Sequence, residues 1–390
     1  MKSKRNTSAG DALATSRRTF LGRSAMVAGG FAAASVLSAC TTASGAAGGG
    51  GGGGGGSAGE LGNAAYHDAI KKLVNGRTLS IGFTPPIISE FHNQVESAAF
   101  GRMAELEEAY GIKWKWEKSA PTGNFDAVEQ QVRIVQTWAS RKLNAIVVCT
   151  GANFATMQNV YTQAAQGGSN MFQYNQPVEL YNTDDIRTVS NIGYDNIHQS
   201  GFLAGKFIGE TLGGKGKIIQ IMGPSGSDWS KARQMGFDLA LKQFPGLQVV
   251  GTADGGYVRD KGQTAAQDLL TRTPDVNAIY GENEDMALGA SQAVDAQGLK
   301  QWDGKQGIVI VGADGVISGM QAIRDGKLTA SIDVGSVDQG RAIVDTVFHS
   351  VVLGDVVDRV INIPTRVVTK DNVDAAQAYI QWGNSPAKTY

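Results

Sequence analysis

The side chains best equipped for chemistry in this 390-residue chain sit in short polar and aromatic clusters: Ser89, Phe91 and His92; Asn175; Asp228, Trp229 and Arg233; Tyr257; Glu282 and Asn283; and Asp314. Planar groups such as Asp, Asn and Arg grip neighbouring hydroxyls in pairs, and flat rings cover the apolar C–H faces of a polyhydroxylated molecule. Asn175, Arg233, Asn283 and Asp314 are candidate hydroxyl binders, and Phe91, Trp229 and Tyr257 are candidate walls. For Phe91 and Tyr257, core packing stands open as the alternative. Trp229, within Gly226-Ser227-Asp228-Trp229-Ser230 at an expected helix start, is expected to lie exposed at a rim.

Catalytic patterns are missing from the same residues. The four histidines (His67, His92, His198, His349) lack metal-ligand spacing and Cys149 stands alone, so neither a metal nor a cofactor is expected. No nucleophile elbow or phosphate-binding loop occurs, and Gly213-Gly214-Lys215-Gly216 reads as a helix-to-strand turn. His92 has no carboxylate partner that the sequence identifies, so it reads as a hydrogen-bonding or surface residue before a general base. Cys149 closes the apolar run Ala145-Ile146-Val147-Val148 and reads as a buried structural thiol.

The clusters follow short β-rich runs. Strands are expected over 79–83, 112–117, 145–149, 170–174, 217–222, 248–253, 278–280, 308–312 and 328–333, with helical patterns over 90–110, 126–140, 196–212, 230–244, 261–271 and 285–297. Alternation of this kind predicts an α/β protein with parallel sheets, and nine strands predict two Rossmann-like lobes. Ligands in such sheets bind beyond the carboxyl ends of the strands, where these residues lie.

The N-terminal segment reads as an address. Ser16-Arg17-Arg18-Thr19-Phe20-Leu21 resembles the twin-arginine export motif, and Leu37-Ser38-Ala39-Cys40 resembles a bacterial lipobox. Residues 1–39 are therefore expected to be a signal peptide and Cys40 the lipidation site, anchoring the protein to the outer face of the cell membrane or in the periplasm. Glycine, at 52 of 390 residues, includes the unbroken run Gly48 to Gly56. Residues 40–60 read as a flexible tether, since Thr, Ala, Ser and Gly bury too little surface to offset ordering. Six basic residues lie before Cys40, so the acidic excess falls on the mature chain, which argues against nucleic-acid binding.

At the clustered residues the sequence resembles the periplasmic sugar-binding proteins of ABC transporters, of the ribose- and galactose-binding type, over roughly 77–368. Glu282-Asn283-Glu284-Asp285-Met286-Ala287 is similar to the family's N-D-x-M-A stretch, which assigns the sugar-contacting asparagine to Asn283. Val311-Gly312-Ala313-Asp314-Gly315 looks like V-G-F-D-G, giving Asp314 a hydroxyl-binding role, and Arg233-Gln234-Met235-Gly236-Phe237 matches R-x-x-G-F. Ser89-Glu90-Phe91-His92 falls where the family carries its stacking aromatic, and Tyr257 replaces a phenylalanine. Tyr174-Asn175-Gln176 departs from the family's L-D-R or L-D-S. Asp333 lies near the last crossover, where the ribose type has a glutamine.

The resemblance implies two lobes, 77–195 with 335–364 and 196–334 with 365–390. It places three hinge crossings near Tyr194-Asp195-Asn196, Asp333-Val334-Gly335 and Pro364-Thr365. It further implies a monomeric solute-binding subunit that carries a monosaccharide or polyol to an ABC permease and its ATPase, touches the membrane only through its lipid, and performs no chemistry. A sensory receptor that hands its closed form to a chemoreceptor or sensor kinase is the alternative. A sugar-responsive repressor is discarded, because export signal and tether occupy the place of its DNA-binding segment.

Overall fold

The runs Ala145-Ile146-Val147-Val148 and Val309-Ile310-Val311 are buried at every position, as expected of strands covered on both faces. The computed structural model describes residues 58–390, apart from 124, 126, 152–153, 178–186 and 195–196. The expected signal peptide, the expected lipidation site Cys40 and the expected tether up to residue 57 lie outside the described residues, as do residues 195–196 of the first expected crossing.

The first sheet comprises β1 (Thr78–Thr84), β2 (Lys113–Lys118), β3 (Ala145–Val148), β4 (Asn170–Tyr174), β5 (Ser190–Tyr194) and β11 (Val360–Ile363). Its order is β11-β5-β4-β3-β1-β2, parallel throughout. The second comprises β6 (Lys215–Met222), β7 (Gly246–Asp254), β8 (Ala278–Gly281), β9 (Val309–Asp314), β10 (Ala330–Asp333) and β12 (Arg366–Val368). Its order is β12-β10-β9-β8-β6-β7, with only β12 antiparallel. Around them run α1 (Ala58–Val74), α2 (Glu90–Tyr110), α3 (Val128–Ser140), α4 (Gln158–Gln166), α5 (Ile197–Thr211), α6 (Asp228–Leu241), α7 (Arg259–Arg272), α8 (Glu284–Ala296), α9 (Ile317–Arg324), α10 (Ser336–Val347) and α11 (Val373–Gly383). The architecture is two parallel-sheet α/β lobes with flanking helices. The chain passes between sheets after β5, after β10 and between β11 and β12.

Three strands exceed the nine expected: β5, β11 and β12. β5, Ser190-Asn191-Ile192-Gly193-Tyr194, lacks an apolar run, and its neighbours β4 and β11 hold it in register. The tether expected up to residue 60 overlaps α1, which begins at Ala58 and buries Ile70 and Val74. The C-terminal stretch expected in the second lobe returns to the first: Lys388 Nζ and the Tyr390 hydroxyl both donate to Glu107 of α2 at 2.8 Å. α11 lies between, tied to α9 by Arg324 and Asp374 at 2.7 Å, with Trp382 under the Arg341 guanidinium at 5.0 Å.

Glycine serves a use beyond turns and caps. α5 and α6 cross backbone against backbone, and a Cβ on Gly236 would overlap the His198 carbonyl, while one on Gly201 would overlap that of Arg233. This close crossing fixes the start of α6, which carries Trp229 and Arg233.

Candidate functional site

One cavity lies between the lobes. From the first lobe it is lined by Ile87, Ser89, Phe91 and His92 after β1, Phe125 after β2, and Asn175 after β4. From the second it is lined by Trp229 and Arg233 after β6, Tyr257 after β7, Asn283 after β8 and Asp314 at the end of β9. The carboxyl ends of both parallel sheets thus converge on one space, where ligands of such sheets bind.

The charged centre belongs to the second lobe. Arg233, only 4% exposed, donates through Nη2 to Asp314 Oδ1 at 3.1 Å and through Nη1 to the Glu282 carbonyl. Burial pushes the Asp314 carboxyl up to about 6 while Arg233 pulls it back, so at neutral pH the pair supplies an anion and a cation that cancel. Asn283 caps α8 by accepting from Met286 N at 3.0 Å, and its Nδ2 donates to the Tyr257 carbonyl at 3.3 Å. The cap preference for Asn and the ligand-facing position therefore fall on one residue.

The first lobe contributes neutral groups. His92 shares a 2.9 Å hydrogen bond between Nδ1 and the Tyr174 hydroxyl, and burial lowers its pKa to about 3, leaving it uncharged. Asn175 takes a left-handed backbone, φ +52°, and its carbonyl accepts from Trp229 Nε1 across the cleft at 2.7 Å. Its buried side-chain Oδ1 has no protein partner, an acceptor that a bound hydroxyl would satisfy. Asn175, Tyr257 and Asp314 are three of the five described non-glycine residues with positive φ, so backbone strain gathers at this cavity.

Nine of the ten expected site residues line the cavity; Asp333 does not. Its carboxylate faces the backbone instead, accepting from Gly335 N at 2.8 Å, and a Cβ on Gly315 would lie 2.6 Å from its Oδ1. It sits one strand behind Asp314, paired with it in the β9–β10 ladder. Trp229 is likewise corrected: it is 7% exposed, buried by Phe125 and Tyr257 at ring distances of 5.1 and 6.2 Å. Phe91 and Tyr257 are both buried and cavity-lining, so the two alternatives for them coexist.

Sequence reasoning passed over Phe125 and Ile87. Phe125 follows β2 in Pro121-Thr122-Gly123-Asn124-Phe125, an aromatic beyond a strand end like the rest, but the rings it packs on, Trp229 and Tyr257, belong to the other lobe and leave no local signal. Glu282 and Glu284 form a second layer. Glu282 accepts from Gly223 N and Ser230 Oγ, both at 2.7 Å, and Glu284 accepts from Gly315 N and Val316 N at 2.8 and 2.9 Å. Burial raises their carboxyl pKa values to about 7 and about 8. They pin the loops that carry Arg233 and Asp314.

Comparison with known proteins agrees with this architecture. The chain is 36% identical to the ribose import binding protein RbsB of Escherichia coli (strain K12) over 144 residues, which is 37% of this chain and 46% of that protein, so the match spans about half the relative's length. It is 27% identical to the xylitol-binding protein of Mycolicibacterium smegmatis over 312 residues, 78% of this chain and 81% of the other. Among solved structures, an ABC transporter solute binding protein from Mycobacterium smegmatis with bound glycerol aligns at 28% identity and TM-score 0.64, covering 76% of this chain and 96% of that one. A galactofuranose binding protein aligns at TM-score 0.68 and 18% identity, covering 79% and 100%, a likeness of fold alone. A family model described as periplasmic binding protein domain matches residues 81–352, and with the two facing lobes this establishes that the chain belongs to the periplasmic binding protein domain family.

Proposed function

We propose that this protein is the solute-binding subunit of an ABC importer, holding a monosaccharide or related polyol between its lobes and delivering it to a membrane permease. The observation that carries the reading is the make-up of the cavity. Four rings (Phe91, Phe125, Trp229, Tyr257) surround a self-neutralised Arg233–Asp314 pair, with Asn283 and the unpartnered Asn175 Oδ1 beside it. Rings suit C–H faces, bidentate groups suit vicinal hydroxyls, and a cancelled charge favours a neutral ligand over an acid or an amine. The names of the relatives, ribose import binding protein and xylitol-binding protein, support the same ligand class. His92, neutral, buried and engaged by Tyr174, supports a role in holding the ligand.

The twin-arginine and lipobox motifs support export, with Cys40 as a lipid anchor and residues up to 57 as the tether. Closure would turn about the three crossings between the sheets, driven by tighter ligand binding in the closed form than in the open one. The test is a thermal-shift screen of residues 58–390 against pentoses, hexoses, polyols and inositols. A ligand at about 100 times its Kd adds about 2.7 kcal/mol, which moves the midpoint by several degrees. A panel that leaves the midpoint unmoved refutes the ligand class.

A further inference from the structure

Outside the cavity, α2 and α9 also join the two lobes. Glu90, the first residue of α2 in the first lobe, reaches across to Ser318, the second residue of α9 in the other. Its Oε1 accepts from Ser318 N at 3.0 Å and its Oε2 accepts from Ser318 Oγ at 2.5 Å. α9 needs this partner. Its N-cap position is Val316, which has no side-chain acceptor, and an uncapped helix start leaves backbone donors unsatisfied. Glu284 from its own lobe takes Gly315 N and Val316 N, and Ser318 N is left for Glu90. One carboxylate therefore lies at the N-termini of two helices, α2 and α9, both of which favour negative charge. Both residues are half-buried and neither lines the cavity.

We infer that Glu90 and Ser318 form an interlobe latch, which holds a closed population even without ligand and raises ligand affinity without touching the ligand. Glu90 travels with β1 and α2, whereas Ser318 travels with β9 and α9, so opening breaks both hydrogen bonds together. The latch also lies directly beside the residues that grip: Glu90 is flanked by Ser89 and Phe91, and Ser318 follows Asp314 by four positions. This deepens the binding reading and rests on it for the claim about affinity, although the claim about closure stands apart from ligand identity.

The test uses the full chain with Cys40→Ser, spin-labelled at Gln136→Cys on exposed α3 and Asp238→Cys on exposed α6, with Cys149 buried and unlabelled. Pulsed dipolar spectroscopy without ligand should give a short and a long distance in the unmutated latch. Glu90→Ala should shift their ratio about tenfold or more toward the long one, the equivalent of losing charge-assisted hydrogen bonds. Ser318→Ala should shift it less, because the backbone bond persists, and the double variant should match Glu90→Ala. Glu90→Gln, which keeps one acceptor, should fall between and guards against a folding defect in the alanine variant. A protein with no closed population, a ratio that Glu90→Ala leaves unchanged, or additive effects in the double variant overturns the latch. Failure of the ligand reading shows differently, as a distance distribution that no sugar or polyol alters while the Glu90 effect remains.

Discussion

The Arg233–Asp314 pair should respond unequally to removal of its two members. Burial already holds the Asp314 carboxyl at about 6, so its protonation at pH 7 costs only about 1 to 2 kcal/mol. In Arg233→Met the carboxyl escapes isolation by taking up a proton, and the loss should be about 2 kcal/mol at pH 7, below the usual 3 to 5 for a broken buried pair. The guanidinium has no such escape, because arginine stays charged at any pH the fold tolerates. Asp314→Asn, which keeps the side chain's shape, should therefore cost more, about 3 kcal/mol. Arg233→Met with Asp314→Asn should be more stable than Asp314→Asn alone, since no charge is left stranded. Urea denaturation of the three variants at pH 7 measures this. All three should also bind sugar about 10- to 100-fold more weakly, by loss of charge-assisted bonds to hydroxyls. Equal and additive stability losses, or a double variant that binds normally, would refute the reasoning.

Other consequences follow from the second layer and the frame. Glu282 and Glu284 have folded pKa values of about 7 and 8, raised by burial above the ordinary glutamate value, so folding favours their protonated forms. Above pH 6.5 the unfolded chain has released these protons and His92 no longer takes one, so the thermal midpoint should fall from pH 6.5 to 8. Glu284→Gln, whose carbonyl can still accept from Gly315 N and Val316 N, should flatten that fall. Gly236→Ala places a methyl against the His198 carbonyl, and should cost about 3 kcal/mol or more in urea denaturation while displacing Arg233. Asp333→Asn should leave calorimetric ligand affinity within about twofold, because Asp333 lies behind the cavity.

Much of this was readable because parallel α/β architecture puts the working residues where strands stop. The buried strands announced themselves as uninterrupted β-branched runs, as in β3 and β9, and polar residues at the ends of β1, β4, β8 and β9 line the cavity. β5 and β12 were not readable, since one is polar and glycine-bearing and the other has three residues; each exists through its ladder partners. Within the site, residue type told less than direction. Glu282 and Asn283 are adjacent, yet Glu282 turns inward to hold Gly223 and Ser230 while Asn283 meets the cavity. Trp229 is polar-flanked and still buried, because the covering ring, Phe125, arrives from the other lobe. Long-range pairings of that kind leave no periodicity in a single sequence. The glycines were half legible: runs such as Gly48 to Gly56 stand out, but Gly201 and Gly236 mark a helix crossing that only the three-dimensional contact reveals.

The central claim is one ligand held by both lobes at once, and titration calorimetry with the tightest ligand of the panel tests it most directly. Binding should be one ligand per chain, with a negative heat-capacity change as the rings lose water. Phe91→Ala in the first lobe and Asn283→Ala in the second should each weaken that same event about tenfold or more. Weakening by only one of the two, or a stoichiometry other than one, would contradict a site shared between the lobes.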